Sequence, residues 1–233
     1  MKFALLGDIH GNHYALESVI ESALNKGVDK FLVTGDLVGY YFSPLKVLNL
    51  LNTLDASIVR GNHEEMLAEA INNSVFLNEI DKKYGPGINI AIQELNEKQL
   101  SYLINLPHPL FLEFKDKKII LCHGSLNDIN KYIYPDTEQD ILDNIDIDEY
   151  DILVTGHTHY PMKKFINNNK IIINPGSVGQ PRNRKPGAHW ALLDTTTNDI
   201  SFHCENYDFM KLIQECRKFA PNLSYLQNVL TRT

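Results

Sequence analysis

Aspartate, asparagine and histidine side chains follow short hydrophobic runs at five places in this chain. These segments are LLGDIHGN (5–12), VTGDLVG (33–39), VRGNHE (59–64), LCHGS (121–125) and VTGHTH (154–159). Each run stops at or beside a glycine, which lets the backbone turn tightly and leaves room for a ligand. Eight side chains that can bind a metal ion follow these runs: Asp8, His10, Asp36, Asn62, His63, His123, His157 and His159.

This set combines imidazole nitrogens with carboxylate and amide oxygens and contains no sulfur. Such donors suit Mn, Fe, Zn or Ni better than metals that prefer thiolates. One tetrahedral ion needs about four ligands, whereas two ions about 3.5–4 Å apart that share a carboxylate need more. Taken singly, each segment has a simpler interpretation: GD is a common turn, HTH fits an extended surface segment, and GNHE fits a helix start capped by Asn62. Because all five segments occur at strand ends, the pattern favours a two-metal site.

The order of the predicted elements shows how these segments meet. A strand over 2–6 precedes a helix over 13–26, and short strands before Gly35 and Gly61 flank a helix over 44–54. Helices are predicted over 64–72 and 87–103. They are followed by a hairpin with a KDKK turn, a buried strand before GHTH, a hairpin with an Asn-rich turn and a third hairpin. A helix over 207–219 and a short helix or loose tail end the chain. This order predicts an α/β domain of two stacked sheets with outer helices, whose loops converge beyond the carboxyl ends of the strands.

Bulk composition limits the classes of function. A length of 233 residues fits one domain with or without an appendage. The formal net charge of −7 argues against sequence-independent binding of nucleic acid, although bound metal ions reverse the local field and permit phosphate chemistry. Cys122, Cys204 and Cys216 show no paired spacing, which indicates a reducing compartment. We find no signal peptide and no run of membrane-spanning length, so we expect a cytoplasmic protein without a membrane partner.

The five segments, in this order, resemble the calcineurin-like metallophosphoesterase superfamily, and the resemblance runs from residue 3 to about 205. Several further stretches resemble a bacterial and archaeal branch of phosphodiesterases and diadenosine-tetraphosphatase-like proteins. They are GDLVGYYFSP, HGSLNDINKYIYP, NPGSVGQPRN, the ALLD strand and the YD that opens the last long helix. The resemblance implies the metallo-dependent phosphatase fold, a four-layer αββα sandwich of two mixed β-sheets flanked by helices. It also implies a metallophosphoesterase domain over 1–205 and a C-terminal helical extension over 206–233 packed on that domain.

The resemblance further implies a ligand set. One divalent ion would be held by Asp8, His10, Asp36 and His159, and a second by Asp36, Asn62, His123 and His157. Asp36 would then bridge the two ions, for which Mn²⁺ is preferred and Fe, Zn, Ni or Co are alternatives. His63 would be the catalytic histidine beside the leaving group.

Four further residues are candidates for binding substrate: Asn12, Arg60, Gln180 and Arg182. An arginine there would fork onto phosphate oxygens, although a surface ion pair is an equal alternative for Arg60. We expect His108, His189 and His203 to lie outside the metal site and Cys122 to face the core. Tyr41 and His13 depart from the pattern of the branch and could reshape the substrate entrance.

These expectations define a dinuclear phosphoesterase. A hydroxide that bridges the two ions would attack phosphorus in line, and His63 would protonate the leaving oxygen. The expected substrates are small phosphodiesters or nucleotides. A dinucleoside polyphosphate hydrolase, a protein phosphatase and a catalytically silent scaffold are the alternatives, and the scaffold is disfavoured because every ligand is present. The oligomeric state stays open.

Overall fold

Ten strands form two mixed five-stranded sheets in the structure, a computed structural model that describes residues 1–115, 117–147 and 149–233. The first sheet has the order β10-β9-β1-β2-β3 and the second the order β4-β5-β6-β8-β7. The strands are β1 (Lys2–Leu6), β2 (Lys30–Val33), β3 (Ala56–Ile58), β4 (Leu110–Phe114), β5 (Lys117–Leu121), β6 (Ile152–Val154), β7 (Met162–Ile166), β8 (Lys170–Asn174), β9 (Ala188–Asp194) and β10 (Asp199–Glu205). Of the predicted turn between β4 and β5, Asp116 lies outside the described residues.

Helices cover the sheets on their outer faces. They are α1 (His13–Asn25), α2 (Pro44–Leu51), α3 (Asn62–Ala70), α4 (Ser74–Tyr84), α5 (Gly87–Glu94), α6 (Glu97–Ile104), α7 (Gln139–Asp143), α8 (Phe209–Phe219) and α9 (Tyr225–Thr231). The predicted fold class, two stacked mixed sheets flanked by helices, is confirmed. Within the described residues, no helix is both long and apolar enough to cross a membrane.

The register of the parallel strands brings the site loops to one edge. In the first sheet β1, β2 and β3 run parallel, with Leu6 opposite Val33 and Val33 opposite Ile58. In the second sheet β5 and β6 run parallel, with Leu121 opposite Val154. Because paired strands end level with one another, the five polar segments leave the sheets side by side.

The sheets are held by alternating side chains. Ala4 and Leu6 of β1 pack under the helices, whereas Phe3 and Leu5 pack between the two sheets. This period of two is what a strand buried on both faces requires. Truncating such a fully buried Leu or Phe to Ala costs about 2–5 kcal/mol, so the strand that carries Asp8 is firmly anchored.

The helical region differs in detail from the sequence prediction. The helix predicted over 64–72 begins at Asn62, and α4 follows it where no helix was predicted. The helix predicted over 87–103 is two helices, because Asn96 and Gln99 form a capping box that starts α6. The five-residue α7 was not predicted either, since one and a half turns give no hydrophobic period to detect.

The C-terminal helices pack on the rim that bears the site. Leu212, Cys216 and Leu226 of α8 and α9 form one buried cluster with Tyr40 and Tyr41. The Tyr41 hydroxyl donates to the carbonyl of Leu226 at 3.1 Å. The segment 206–233 therefore contacts the loop that follows β2, although its status as a separate extension stays a prediction.

Candidate metal centre

The five polar segments meet in one buried cluster at the carboxyl ends of the strands. Ligand-type atoms of Asp8, His10, Asp36 and His159 lie within 4.8 Å of one another, and so do those of Asp36, His123 and His157. We refer to these two sets of residues as the metal groups, and Asp36 belongs to both. All six residues are buried, so each group excludes most solvent and presents its donors to one point.

The backbone at this cluster adopts an uncommon conformation. Five residues have φ in the left-handed region: Asp8 (53°), His10 (51°), Asp36 (55°), His157 (67°) and His159 (64°). A non-glycine residue there costs on the order of 1–3 kcal/mol and is characteristic of functional sites. The amide N–H of His10 donates to the carbonyl of Asp36 at 2.8 Å, which locks two of these turns together.

Backbone carbonyls fix the protonation of three imidazoles. Nδ1 of His10 lies 3.2 Å from the carbonyl oxygen of Val38, and Nδ1 of His123 lies 2.7 Å from that of Thr34. Nδ1 of His159 lies 2.6 Å from the carbonyl oxygen of Gln180. A carbonyl oxygen only accepts, so each Nδ1 carries the hydrogen. The lone pair on each Nε2 therefore faces the cluster, an arrangement that is usual for histidines that bind metal.

These lone pairs face one another at close range. Nε2 of His10 and Nε2 of His159 are 3.2 Å apart, and neither has a hydrogen to donate. Nε2 of His123 lies 3.1 Å from Nδ1 of His157 and 3.0 Å from Oδ1 of Asn62. Opposed acceptors repel each other unless a cation lies between them, so this donor set fits divalent metal ions.

The carboxylates complete the two groups. Oδ2 of Asp36 lies 3.7 Å from Nε2 of His10 and 3.4 Å from Nε2 of His123. Oδ1 of Asp8 lies 3.4 Å from Nε2 of His159. Oδ2 of Asp8 is buried without a hydrogen-bond partner among the described residues. A buried carboxylate oxygen in this state is costly and is well explained as a ligand atom.

Burial sets the charge of these groups. Burial lowers the pKa of His123 to about 4, so its imidazole is neutral near pH 7. Burial also raises the pKa of Asp36 to about 7, and burial together with the nearby Asp36 raises that of Asp8 well above its usual range. A bound cation reverses this tendency, because it stabilises the ionised carboxylates.

Glu64 holds the Asp36 loop in place, a role that the sequence analysis did not assign. Its buried carboxylate accepts backbone N–H groups from Gly61 (2.8 Å), Asp36 (2.9 Å), Leu37 (2.8 Å) and Val38 (3.3 Å). Burial raises its pKa to about 7, with Asp36 as the next cause. These bonds tie the turn after β2 to the start of α3, so the spacing between Asp36 and Asn62 is set by one side chain.

Most of the chain matches one protein family. The model of the calcineurin-like phosphoesterase superfamily domain matches residues 1–198. The chain belongs to this superfamily. It is accordingly a metal-dependent phosphoester hydrolase.

Known proteins are similar to this chain over most of its length. Uncharacterized protein MJ0912 of Methanocaldococcus jannaschii is 29% identical over 92% of this chain and 91% of its own length. Phosphodiesterase YfcE of Escherichia coli is 26% identical over 86% of this chain and 89% of its own length. The crystal structure of a metallophosphoesterase from Sphaerobacter thermophilus superposes with a TM-score of 0.80 at 25% identity, covering 100% of this chain and 99% of that one.

His63 lies beside both groups and bonds to neither through its ring. Its backbone N–H donates to Oδ1 of Asp36 at 2.8 Å, and its Nδ1 is buried without a partner among the described residues. Burial, with a smaller effect of His123, lowers its pKa to about 3. Gly39 leaves the space for this ring, because a Cβ at Gly39 would lie 2.0 Å from Nδ1 of His63.

The candidate substrate-binding residues separate into two sets. Arg182 lines the small cavity over the metal groups and donates to Tyr40 Oη at 3.1 Å and Gln180 Oε1 at 3.2 Å. Gln180 orients His159 through its backbone carbonyl and is fully buried behind that cavity. The structure thus brings Arg182 to the metal groups and uses Gln180 as support.

Asn12 and Arg60 are engaged elsewhere. The Asn12 amide donates to the carbonyl of Gly179 and to Tyr207 Oη, each at 3.0 Å, and the side chain caps α1. The Arg60 guanidinium donates to the carbonyl of Ile104 at 3.2 Å and pairs with Glu65 at 3.4 Å. Neither is among the residues that line the small cavity.

Three tyrosines that were not predicted as a group line the cavity. The cavity has a volume of about 40 Å³ and is bounded by Tyr40, Tyr84 and Tyr132 in addition to metal-group residues and Arg182. Tyr132 lies against the His157 ring, with centroids 4.1 Å apart. The sequence carried only a faint signal for them, since Tyr132 follows His123 by nine positions within the HGSLNDINKYIYP stretch.

The remaining histidines and Cys122 follow expectation except in one respect. His189 and His203 belong to neither metal group, and Cys122 is part of the core on the outer face of the second sheet. His108 also lies outside both groups, but its Nε2 accepts the backbone N–H of His123 at 3.0 Å. It therefore supports the His123 loop from behind.

Proposed function

We propose that this protein hydrolyses small phosphodiesters or nucleotides with two divalent ions, Mn²⁺ being preferred. The observation that carries the proposal is the pair of donor groups that share Asp36, the first of which opposes two unprotonated nitrogens, Nε2 of His10 and Nε2 of His159. The superfamily membership and the likeness to a phosphodiesterase support the same reaction. The free thiols of Cys122, Cys204 and Cys216 fit a reducing compartment such as the cytoplasm.

The proposed ligands follow the two groups. Asp8, His10, Asp36 and His159 would hold one ion, and Asp36, Asn62, His123 and His157 would hold the other. Bound there, divalent ions would supply charge neutralisation of the phosphate oxygens and activation of water for attack on phosphorus. The carbonyls of Val38, Thr34 and Gln180 keep three imidazoles unprotonated at Nε2, so the site is organised before metal or substrate arrives.

Arg182 is proposed to bind the phosphoryl group. Its side chain lies in the cavity that the metal groups line, and its Nε is buried without a partner among the described residues. A guanidinium with an unused donor beside carboxylate and imidazole groups is suited to a bidentate contact with phosphate oxygens. The Tyr40 hydroxyl and the Gln180 amide oxygen hold the other side of its fork.

His63 is proposed to protonate the leaving oxygen. Its ring borders the same cavity, and its buried Nδ1 has no hydrogen-bond partner among the described residues. Without substrate its pKa of about 3 leaves it neutral. The negative charge of a bound phosphoester favours the imidazolium, so the proton is available when the ester is present.

The decisive experiment combines metal analysis with a substrate panel. Purified protein is stripped with a chelator, reloaded with Mn²⁺, and assayed on phosphomonoesters, phosphodiesters, nucleotides and dinucleoside polyphosphates. We expect two ions per chain and metal-dependent hydrolysis of a diester or nucleotide. The proposal is wrong if the reloaded protein holds one ion, or if it hydrolyses none of these esters.

A further inference from the structure

A second cavity adjoins the one over the metal groups. It has a volume of about 330 Å³ and is lined by the chain from Ser125 to Asp146. Tyr132 lines both cavities. The first lining residue, Ser125, lies two positions after His123, so the cavity begins where the proposed ligand loop ends.

The size of the two cavities assigns them different parts of a substrate. The cavity over the metal groups, at about 40 Å³, admits a phosphoryl group and little else. The second cavity, at about 330 Å³, falls at the lower end of the range for small-molecule sites. An ester whose phosphorus sits over the metals must place its organic part outside the first cavity, and the second is the adjoining space.

The lining of the second cavity fits a flat ring with polar edges. Its floor is apolar, with Ile133 3% exposed and Leu142 0% exposed. Its rim carries the amides of Asn127 and Asn144, which can donate to and accept from ring nitrogens and carbonyls. An apolar floor with a few polar groups at the edge is the common design of a ligand site.

Tyr132 lies at the junction of the two cavities and lines both. It is 47% exposed, its ring lies against His157, and it stacks in parallel on Tyr134 with centroids 5.5 Å apart and planes 4° apart. These two ring contacts hold Tyr132 in place. The second cavity carries one charge of each sign, Lys131 and Asp146, whereas the metal-site cavity carries Arg182. The excess positive side chain thus lies where the phosphate of an ester would sit.

We propose that Tyr132 and the cavity bounded by Asn127, Ile133, Leu142 and Asn144 bind the nucleobase of a nucleoside phosphoester whose phosphate lies over the metal groups. This inference rests on the proposed function and specifies its substrate class. It also gives a role to the HGSLNDINKYIYP stretch, whose last residues carry Tyr132 and Ile133.

The test compares ligands that differ only in the base. Binding of AMP, CMP and ribose 5-phosphate to the Mn²⁺-loaded protein is measured by calorimetry. Stacking of a base on an aromatic side chain contributes enough to expect at least one of the two nucleotides to bind about tenfold more tightly than ribose 5-phosphate. The inference is overturned if neither nucleotide binds more tightly than the sugar phosphate.

Variants locate the effect. Asn127→Trp places a large side chain at an exposed point of the rim, and Tyr132→Leu removes the aromatic face. We expect both to abolish most of the preference for the nucleotide. Val75→Trp on α4, where Val75 is 67% exposed, is the matched control and should keep the preference. A preference that survives Asn127→Trp contradicts this placement.

The two proposals fail in different ways. A protein that hydrolyses phosphodiesters but binds AMP, CMP and ribose 5-phosphate equally keeps the proposed function and loses the base subsite. A protein that prefers a nucleotide in calorimetry but hydrolyses no ester keeps the subsite and loses the proposed function.

Discussion

At the residue level, the Asp36 carboxylate connects the two metal groups. It belongs to both donor groups, and its Oδ1 accepts the backbone N–H of His63 while Oδ2 lies nearest to His10 and His123. Its own loop is held by Glu64 through backbone N–H groups. One carboxylate thus joins two metal groups and the start of α3.

This position predicts an order of severity for two variants. Asp36→Asn removes charge from both metal groups, whereas His10→Ala removes a donor from one. We expect the Asn variant to lose about tenfold more activity than the Ala variant and to retain fewer ions per chain. Metal content by elemental analysis and turnover of a phosphodiester measure both effects. Greater damage from His10→Ala would contradict the bridging assignment of Asp36.

His63 should separate metal binding from chemistry. His63→Gln keeps the approximate size and, because His63 is not among the proposed ligands, leaves that set intact. We expect both ions to stay bound and turnover of alkyl esters to fall about 10²–10⁴-fold, the usual span for general acid catalysis.

The control for this variant is the leaving group. A nitrophenyl ester releases a weak base that needs little protonation, so its turnover should fall much less. Equal losses on both esters, or loss of an ion, would exclude His63 as the proton donor.

His13 predicts a pH effect on stability away from the metal groups. Its Nε2 lies 3.2 Å from Lys46 Nζ, which donates to it, and burial together with Lys46 lowers its pKa to about 4. In the unfolded chain an unperturbed histidine takes up a proton below about pH 6.5. The folded protein therefore loses stability as the pH falls from about 6.5 towards 4.

The measurement is urea unfolding of metal-free wild type and His13→Gln at pH 7.5 and pH 4.5. The variant lacks this group, so we expect it to lose less stability on acidification, by on the order of 1 kcal/mol. The other histidines are common to both proteins and cancel in the difference. An equal loss in both proteins would contradict the assignment.

At the level of elements, α9 acts as a brace for the rim. Tyr41 donates to the carbonyl of Leu226, Tyr225 donates to Gln180 Oε1 at 3.3 Å, and Arg232 donates to the carbonyl of Arg182 at 3.2 Å. Gln180 in turn orients His159. The last helix is thus connected to a proposed ligand and to the proposed phosphate-binding arginine.

Tyr41→Phe tests this brace with the loss of one oxygen atom. Tyr41 is fully buried, so its removal leaves a buried carbonyl less satisfied, and we expect a loss of about 1–3 kcal/mol in the free energy of unfolding. Tyr102→Phe, at a residue that is 44% exposed, is the matched control and should change stability by less than about 0.5 kcal/mol. Chemical denaturation measures both, and similar losses would contradict the bracing role.

The elements also show what sequence could and could not predict. The strands that end at Leu6, Val33 and Val154 were predicted because a buried run followed by Gly and a polar residue is a strong local signal. The break between α5 and α6 was not predicted, because the apolar period continues across it, although the capping box at Asn96 starts a new helix there. Positions of side chains such as Glu64 and Tyr132 depend on contacts between distant segments, which no local pattern records.

For the molecule as a whole, metal binding should raise the free energy of unfolding. The opposed nitrogens of His10 and His159 repel each other without a cation, and a ligand that binds only the folded state stabilises it by about 2.7 kcal/mol at one hundred times its Kd. In a chain of this size that corresponds to a rise in Tm of roughly 5–10 °C.

The check is thermal unfolding of chelator-treated protein across a Mn²⁺ titration. We expect the Tm of the wild type to rise with the logarithm of the free Mn²⁺ concentration above the Kd. The rise should be much smaller in His159→Ala, which lacks one of the opposed nitrogens. A wild type that shows no dependence on Mn²⁺ would contradict the metal assignment.

The left-handed backbone at Asp8, His10, Asp36, His157 and His159 has a consequence for how this chain can change over generations. Under selection for stability alone, substitution by glycine would be favoured at these positions, because glycine accepts that conformation at lower cost. Asp and His persist there only while their chemistry is needed. A descendant that lost its need for hydrolysis would therefore become more stable as its metal centre decayed, and its glycines would mark where the ligands had been.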